Sequence, residues 1–528
     1  MLKGCNLIGQ TECNEGDQSL LAFSTVTRSV LPKNFFIATT REINNAVLKA
    51  EIAFEVYKDI TGEIKAIFLD TIAEEIMAVG DDLIQRAILE TGLQEARLIG
   101  ERGRTIGQLK LFADLLREGS WVEAVIDTAL PHRKPFPHAD IRKMQVPIGP
   151  VVVFGASNFP FAFSTAGGDT ASALAAGNPV IVKAHASHLG TNELVAMAIN
   201  NAAKKCNMPD GVFSFVIGPG AETGMQLVKH PGVKAVGFTG SYKGGMAIYK
   251  AAVNERETPI PVYAEMSSIN PVLLLPSKLK RDATTLAEQI AGSVTLGTGQ
   301  FCTNPGLIFL IEDESADIFI KRFTEVLSNE SPATMLNSDI CLNYYKSRRI
   351  IAEQNGVITL FKGNDFSEVY QGSTALFLTS ARDFINNPKL QNEMFGPATL
   401  LVKCKHALEL LQAIESLHGQ LTGTVIADNA DVSNYLKCID VLYTKVGRIV
   451  YNGVPTGVEV CQAMVHGGPF PSTTDSRTTS VGADAIKRFV RPLCLQDCPD
   501  EFLPEALRNE NPLNLMRKVN GSYTRESL

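Results

Sequence analysis

Val151-Val152-Val153-Phe154-Gly155-Ala156-Ser157-Asn158-Phe159-Pro160 decides the fold: a continuous apolar run gives way abruptly to glycine and small polar residues. A run without polar alternation reads as a strand buried on both faces. Working forward, the pattern repeats. Residues 164–176 (STAGGDTASALAA) are small and helix-compatible, and Gly177 closes them. Val180-Ile181-Val182 is the next strand, and 189–205 (LGTNELVAMAINNAAKK) the next helix. Strands are expected at Val212 to Ile217, Val233 to Phe238 and Val262 to Ala264, with helices at 221–229 and 243–253 between them. Such alternation predicts a parallel sheet with helices on both faces, which binds ligands at the carboxyl ends of its strands. Those ends carry GASN, KAHASH, GFTGS and EMSS, so a nucleotide-type site is expected there.

A second α/β pattern follows from about 270 to 470, with buried-strand candidates at Pro271 to Pro276 and Leu307 to Leu310. Backward from Val151, residues 120–147 hold Pro131, Pro135, Pro137 and Pro147 and read as an extended connection or protruding hairpin. The first 120 residues read as mostly helical. Ile64, Phe68, Ile72 and Ile76 mark one core-facing stripe, and Arg97 to Arg117 gives a further long helix. The tail after about 480 is expected to pair or fray.

The chain has 528 residues, about three domains at roughly 150 residues each. Its net charge of −7 and pI near 5.8 argue against a general nucleic-acid binder or a binder of anionic membranes. No apolar run approaches the roughly 18 residues of a membrane-spanning helix. The opening MLKGCNLIGQTECNEGDQS does not read as a secretory signal, so a cytoplasmic location with free thiols is expected for the 10 scattered cysteines. Cys494 and Cys498 are the only close pair. No zinc-ligand spacing surrounds them, and no metal is expected.

One cysteine stands apart. Cys302 lies in Gly297-Thr298-Gly299-Gln300-Phe301-Cys302-Thr303-Asn304-Pro305-Gly306, flanked by turn residues as an exposed nucleophile would be. Asn158 follows a strand and would present an amide to an oxyanion. Glu265, in Ala264-Glu265-Met266-Ser267-Ser268, ends another strand and suits a general base. Glu393, in Asn392-Glu393-Met394-Phe395-Gly396-Pro397, is a third candidate. Singly, each has a bland alternative as a turn residue, a cap or a solvated charge.

In this order and at these spacings, Asn158-Phe159-Pro160, Lys183, Gly237-Phe238-Thr239-Gly240-Ser241, Glu265, Gly299-Gln300-x-Cys302 and Glu393-x-Phe395-Gly396-Pro397 resemble the aldehyde dehydrogenase superfamily, from about residue 30 to about 495. The resemblance implies a Rossmann-type cofactor domain (1–119 and 148–265), an α/β catalytic domain (266–480) and a small oligomerisation element (120–147 and 481–528). It implies that Cys302 attacks the aldehyde, that Asn158 and the Cys302 amide hold the oxyanion, and that Glu265 activates water. Lys183 would take the adenosine ribose, Gly240 and Ser241 would lie by the pyrophosphate, and Glu393 and Phe395 would lie by the nicotinamide ribose. A G-x-G-x-x-G motif is absent, as the resemblance implies. Coenzyme-A-acylating relatives lack the glutamate, so a free acid is the expected product.

Departures narrow the branch. Where many NAD-preferring members carry a glutamate three residues after the ribose lysine, this chain has Ala186. A carboxylate there would repel a 2′-phosphate, so NADP is expected, with NAD possible, and Lys183, His185 or His188 would supply attraction. The segments at 164–177, 452–461 and 464–471 resemble the α-ketoglutaric semialdehyde (2,5-dioxovalerate) dehydrogenases. Bacterial NADP-dependent fatty aldehyde dehydrogenases share the same patterns. A carboxylate-bearing substrate needs a cation and a fatty one an apolar tunnel. Thr473, Asp475 and Arg477 are the candidates for a polar mouth, with a structural turn as the alternative. A homodimer or homotetramer is expected. A catalytically silent binding protein on the same scaffold is the alternative from another class, against which the intact Cys302, Glu265 and Asn158 set argues.

Overall fold

The computed structural model describes residues 2–528. The stretch opened by Val151 folds as one sheet. The strands Val262–Glu265, Ala235–Thr239, Val151–Phe154, Val180–Lys183 and Phe213–Val216 lie side by side in that order, all parallel. Register aligns their carboxyl ends: Phe238 opposes Phe154, Phe154 opposes Lys183, and Thr239 opposes Glu265. Residues that follow these positions therefore share one rim. The helix Gly168–Ala176 is buried throughout, and its small side chains let it sit between the sheet and other helices. The helix Leu189–Lys205 covers the sheet as its spacing predicts.

The N-terminal region departs from the expectation. Helices occupy Thr40–Tyr57, Gly62–Ala78, Asp81–Thr91 and Glu95–Glu118, but residues before Thr40 form strands. Asn6–Ile8 pairs antiparallel with the Phe213–Val216 strand and with Thr11–Cys13, extending the sheet by two. Ser19–Ser24 and Ser29–Phe36 form a separate hairpin. Strands of three residues at a sheet edge are too short to show an alternation. In the helix Gly62–Ala78, Phe68, Ile72 and Ile76 are buried, whereas Ile64 is 45% exposed. Steps of four residues drift around a helix of 3.6 residues per turn, so the first member of the row leaves the buried stripe.

A second sheet runs Ile358–Lys362, Ala375–Ser380, Ala398–Cys404, Leu307–Ile311, Pro271–Leu274, Gln420–Ile426 and Val446–Tyr451. All its neighbours are parallel except the outermost pair, Ile358–Lys362 with Ala375–Ser380. Apolar cores lie on both faces. A third sheet joins distant parts of the chain: Val490–Gln496, Ile141–Pro147, Val125–Asp127, Arg517–Val519 and Ser522–Thr524. The tail pairs rather than frays, with Val490 opposite Pro147 and Gln496 opposite Ile141.

Candidate active site

The loop that carries Cys302 leaves the helix Pro276–Thr295 through three residues of positive φ, Gly297 (57°), Thr298 (59°) and Gly299 (66°). A left-handed β-branched residue such as Thr298 is rare and is held only where its surroundings fix it. They do so here. A side chain on Gly299 would place its Cβ 2.3 Å from the backbone of Gly396. The Gly-Gln-x-Cys and Glu-x-Phe-Gly-Pro motifs therefore pack backbone to backbone. Asn270 donates from Nδ2 to the carbonyls of Cys302 and Asn304, both at 2.8 Å. The buried Asn158 side chain donates to the Gln300 carbonyl at 3.1 Å. Half of its amide is thus fixed to the nucleophile loop.

Glu265 ends its strand, and a returning segment is laid along that end. Met266 N–H donates to the Ser472 carbonyl at 2.7 Å, and Thr474 N–H donates to the Ala264 carbonyl at 3.1 Å. This segment brings in His466 and Ser480. His466 Nε2 lies 3.4 Å from Cys302 Sγ and 2.8 Å from Glu265 Oε1. Ser480 donates to the other Glu265 oxygen at 2.7 Å. Sulfur, nitrogen and oxygen lie within 4.8 Å of one another, and Glu265 and His466 are 1% and 0% exposed.

Burial, followed by the Glu265 carboxylate, pushes the Cys302 thiol well above its ordinary value, while the Arg104 guanidinium opposes the rise. Burial would also raise Glu265, but the His466 imidazole and the Ser480 hydroxyl outweigh it and hold the carboxyl below its usual range. The resting pair is therefore a protonated thiol beside an ionised carboxylate. An ionised Glu265 can only accept, so the Nε2 proton of His466 is assigned toward it.

Next to Cys302 in the chain, Phe301 packs with Phe159 and Phe163 into an aromatic wall completed by Ala156, Ala162 and Val481. Arg97 lies over Phe159 and Phe301, and Arg104 over Phe159 and Phe163. The polar-mouth candidates fall elsewhere. The Arg477 side chain is 86% exposed and paired with Asp475 in a turn, and Thr473 is buried, donating to the Gly468 carbonyl. Asp475 and Arg477 thus form a turn, and Thr473 belongs to the segment laid along Glu265.

At the rim of the first sheet, Lys183 is buried. Its ammonium makes no hydrogen bond or ion pair among the described residues, and burial lowers it to about 8. Ala186 is exposed at the turn that follows. The two histidines correct the expectation of added positive charge. Their rings stack at 5.2 Å. Burial, with Lys183 beside it, lowers His185 to about 3, and His188 is lowered well below its ordinary value by burial and by His185 and Lys183. Both are neutral at physiological pH, and His188 is committed to the Ser164 hydroxyl at 3.0 Å. Gly240 and Ser241 are exposed beyond the end of the strand Ala235–Thr239, two strands across the sheet from Lys183, where Ser241 caps the helix Tyr242–Asn254. Glu393 and Phe395 line a narrow cavity with Gly299, Phe301 and Asn304, beside the cysteine loop. Burial raises Glu393 to about 7, against contacts from Ser267 and Ser268.

The sequence model of the aldehyde dehydrogenase family matches residues 33–491. The chain belongs to the aldehyde dehydrogenase family. Among curated members of that family, it is 50% identical over 487 residues to alpha-ketoglutaric semialdehyde dehydrogenase 2 of Azospirillum brasilense, covering 92% of this chain and 93% of that one. It is 45% identical to the alpha-ketoglutaric semialdehyde dehydrogenase of Acinetobacter baylyi, covering 93% of each. Among solved structures, a Thermus 1-pyrroline-5-carboxylate dehydrogenase with bound NAD superposes with TM-score 0.77 at 20% identity over 93% of this chain and 92% of that one. The NADP-dependent glyceraldehyde-3-phosphate dehydrogenase of Bacillus halodurans, complexed with NADP, gives 0.77 at 18% over 94% and 100%. These two share the aldehyde dehydrogenase fold.

Within this aldehyde dehydrogenase, sequence reading named Cys302, Glu265 and Asn158 but did not connect them to His466 or Ser480. His466 was visible in Met464-Val465-His466-Gly467-Gly468 as a distinctive motif, yet it sits 164 residues from Cys302. Arg104 lay inside a stretch read only as helix. Its one available signal was spacing: Arg97, Glu101 and Arg104 fall on one helix face, and Glu101 is a buried charge.

Proposed function

We propose that this chain oxidises α-ketoglutaric semialdehyde (2,5-dioxovalerate) to 2-oxoglutarate with NADP, through a thioester on Cys302. The observation that carries the chemistry is the buried line from Cys302 Sγ through His466 Nε2 to Glu265 and Ser480. The substrate reading draws on relatives 45% and 50% identical that bear this name.

Cys302 sulfur adds to the aldehyde carbon, and its proton passes to the Glu265 carboxylate, which lies within 4.8 Å of it. The second Asn158 amide hydrogen, the one not given to the Gln300 carbonyl, and the Cys302 N–H would hold the oxygen that becomes an oxyanion. Ser480 and His466 hold the carboxylate where it can take the thiol proton and later a proton from water. A nicotinamide held by Glu393 and Phe395 would supply the hydride acceptor for this oxidation. Glu265 first releases the thiol proton to solvent; it then takes a proton from water as that water attacks the thioester, and as the acid leaves it returns this proton to the freed sulfur.

The chain has groups suited to that cofactor. The unpartnered ammonium of Lys183 would hold the adenosine side, with Gly240 and Ser241 at the capped helix start on the same rim. Glu393 and Phe395 would take the nicotinamide ribose. Ala186 leaves room and no negative charge for a 2′-phosphate, and Lys183 is the cation at that rim. On this reading the first sheet with residues 1–119 is the cofactor domain, and 266–480 form the catalytic domain. The third sheet is the element through which a homodimer or homotetramer assembles. A cytoplasmic setting keeps the thiols reduced; all 10 cysteines are free.

The test compares kcat/KM for 2,5-dioxovalerate and decanal, each with NADP and with NAD. The semialdehyde with NADP should be highest. A decanal preference would assign the aromatic wall to a fatty chain, and an NAD preference would defeat the Ala186 argument.

A further inference from the structure

We infer that Arg104 forms an anion-binding subsite that anchors the carboxylate at the far end of the aldehyde substrate. This inference rests on the semialdehyde reading above. Three guanidinium groups lie around Cys302, and the protein uses two of them. Arg97 donates to the Asn158 carbonyl at 2.6 Å and so positions the oxyanion loop. Arg448 donates to the carbonyls of Gly457 at 2.9 Å and Pro455 at 2.6 Å, fixing the segment that precedes His466.

Arg104 has no such task. Among the described residues it makes no hydrogen bond and no ion pair, and its Nε and Nη2 are closed off from solvent without an acceptor. Its acidic neighbour one helical turn away does not neutralise it at contact distance. Glu101 Oε1 instead accepts from the amides of Phe161 at 2.8 Å and Ala162 at 3.1 Å. An unpaired charge removed from water is costly and is retained where something anionic completes it.

The geometry points the missing anion toward the reacting sulfur. The Arg104 guanidinium lies 5.5 Å from the ring centre of Phe159 and 5.3 Å from that of Phe163. Phe163 in turn faces the His466 ring at 6.2 Å, and His466 touches Cys302. Cation, aromatic wall and nucleophile therefore follow one another. Arg104 is also the cation that opposes the rise of the Cys302 thiol. An ω-aldehyde with a short methylene chain would lie along the rings, its aldehyde at Cys302 and its carboxylate at Arg104. A planar guanidinium resting on aromatic faces keeps its edge for carboxylate oxygens, which a lysine cannot match.

The experiment measures kcat/KM for 2,5-dioxovalerate and for pentanal, an uncharged aldehyde of equal chain length, in wild type, Arg104→Met and Arg104→Lys. With Arg104→Met, the value for 2,5-dioxovalerate should fall about 10- to 100-fold further than that for pentanal, chiefly through KM, because any effect through the Cys302 thiol is common to both aldehydes. Arg104→Lys should lie between, and it supplies the same comparison if the methionine variant does not fold. Equal losses on both aldehydes would make Arg104 structural and overturn the inference, as would an unchanged value for 2,5-dioxovalerate. A wild type that prefers pentanal would overturn the semialdehyde reading itself. A wild-type preference for 2,5-dioxovalerate that survives Arg104→Met would overturn only the role of Arg104.

Discussion

Lys183 is a cation with nothing to bind until a ligand arrives. Burial lowers its ammonium to about 8, so it is mostly charged at pH 7 and loses the charge as pH rises through about 8. A bound ribose or phosphate favours the charged form. KM for NADP should therefore climb as pH passes from 7 to 9, and the climb should vanish in Lys183→Met, whose KM is high throughout. A pH-independent KM in wild type would remove Lys183 from the cofactor site. The placement of Lys183 and Glu265 at strand ends, and of Asn158 and Cys302 in loops, was legible in the sequence, because each ends a buried run or sits among turn formers. The charge state of the nearby histidines was not. His185 and His188 look basic in a string of letters, but their ionisation is set by desolvation, which depends on what the rest of the chain packs around them.

At the scale of elements, the nucleophile loop is held by shape more than by bonds. Gly299 has φ 66° and no room for a methyl group against Gly396 and Pro397. Gly299→Ala should cost about 1–3 kcal/mol from the backbone conformation alone, and the clash adds to that. Both the thermal midpoint and kcat should drop. A variant that melts and turns over like wild type would show that the loop relaxes freely. Sequence reading found the helix 189–205 at its observed bounds, because seventeen residues display a full helical period. It missed Asn6–Ile8 and Thr11–Cys13, where register with a distant strand creates the element. The turn at Asp475 and Arg477 shows the same limit: adjacency to a motif does not say which side of the chain faces the site.

Across the whole molecule, segments far apart in sequence are fastened by a buried ion pair. Arg488, from the turn that leads into the tail strand, donates to Asp169 of the helix Gly168–Ala176 at 2.9 Å, and both are buried. Burial raises the Asp169 carboxyl, and Arg488 pulls it down. Arg488→Met should cost about 3–5 kcal/mol by leaving a buried carboxylate alone. The sign with pH follows: without the guanidinium, Asp169 binds its proton more tightly folded than unfolded, so stability falls as pH rises above the ordinary aspartate value. The deficit in urea midpoint relative to wild type should be larger at pH 7 than at pH 5. An equal deficit at both values would mean that lost packing, not charge, is responsible.

The protonated resting state of Cys302 has a consequence beyond turnover. Peroxide and alkylating agents attack thiolates, and a sulfur kept as S–H by burial and a neighbouring carboxylate presents them with a poor target. In the proposed mechanism its nucleophilicity would appear only when an aldehyde is in place to receive the sulfur and Glu265 to take the proton. In the proposed reaction, the arrangement that prepares the sulfur for its substrate would also slow its oxidation between turnovers.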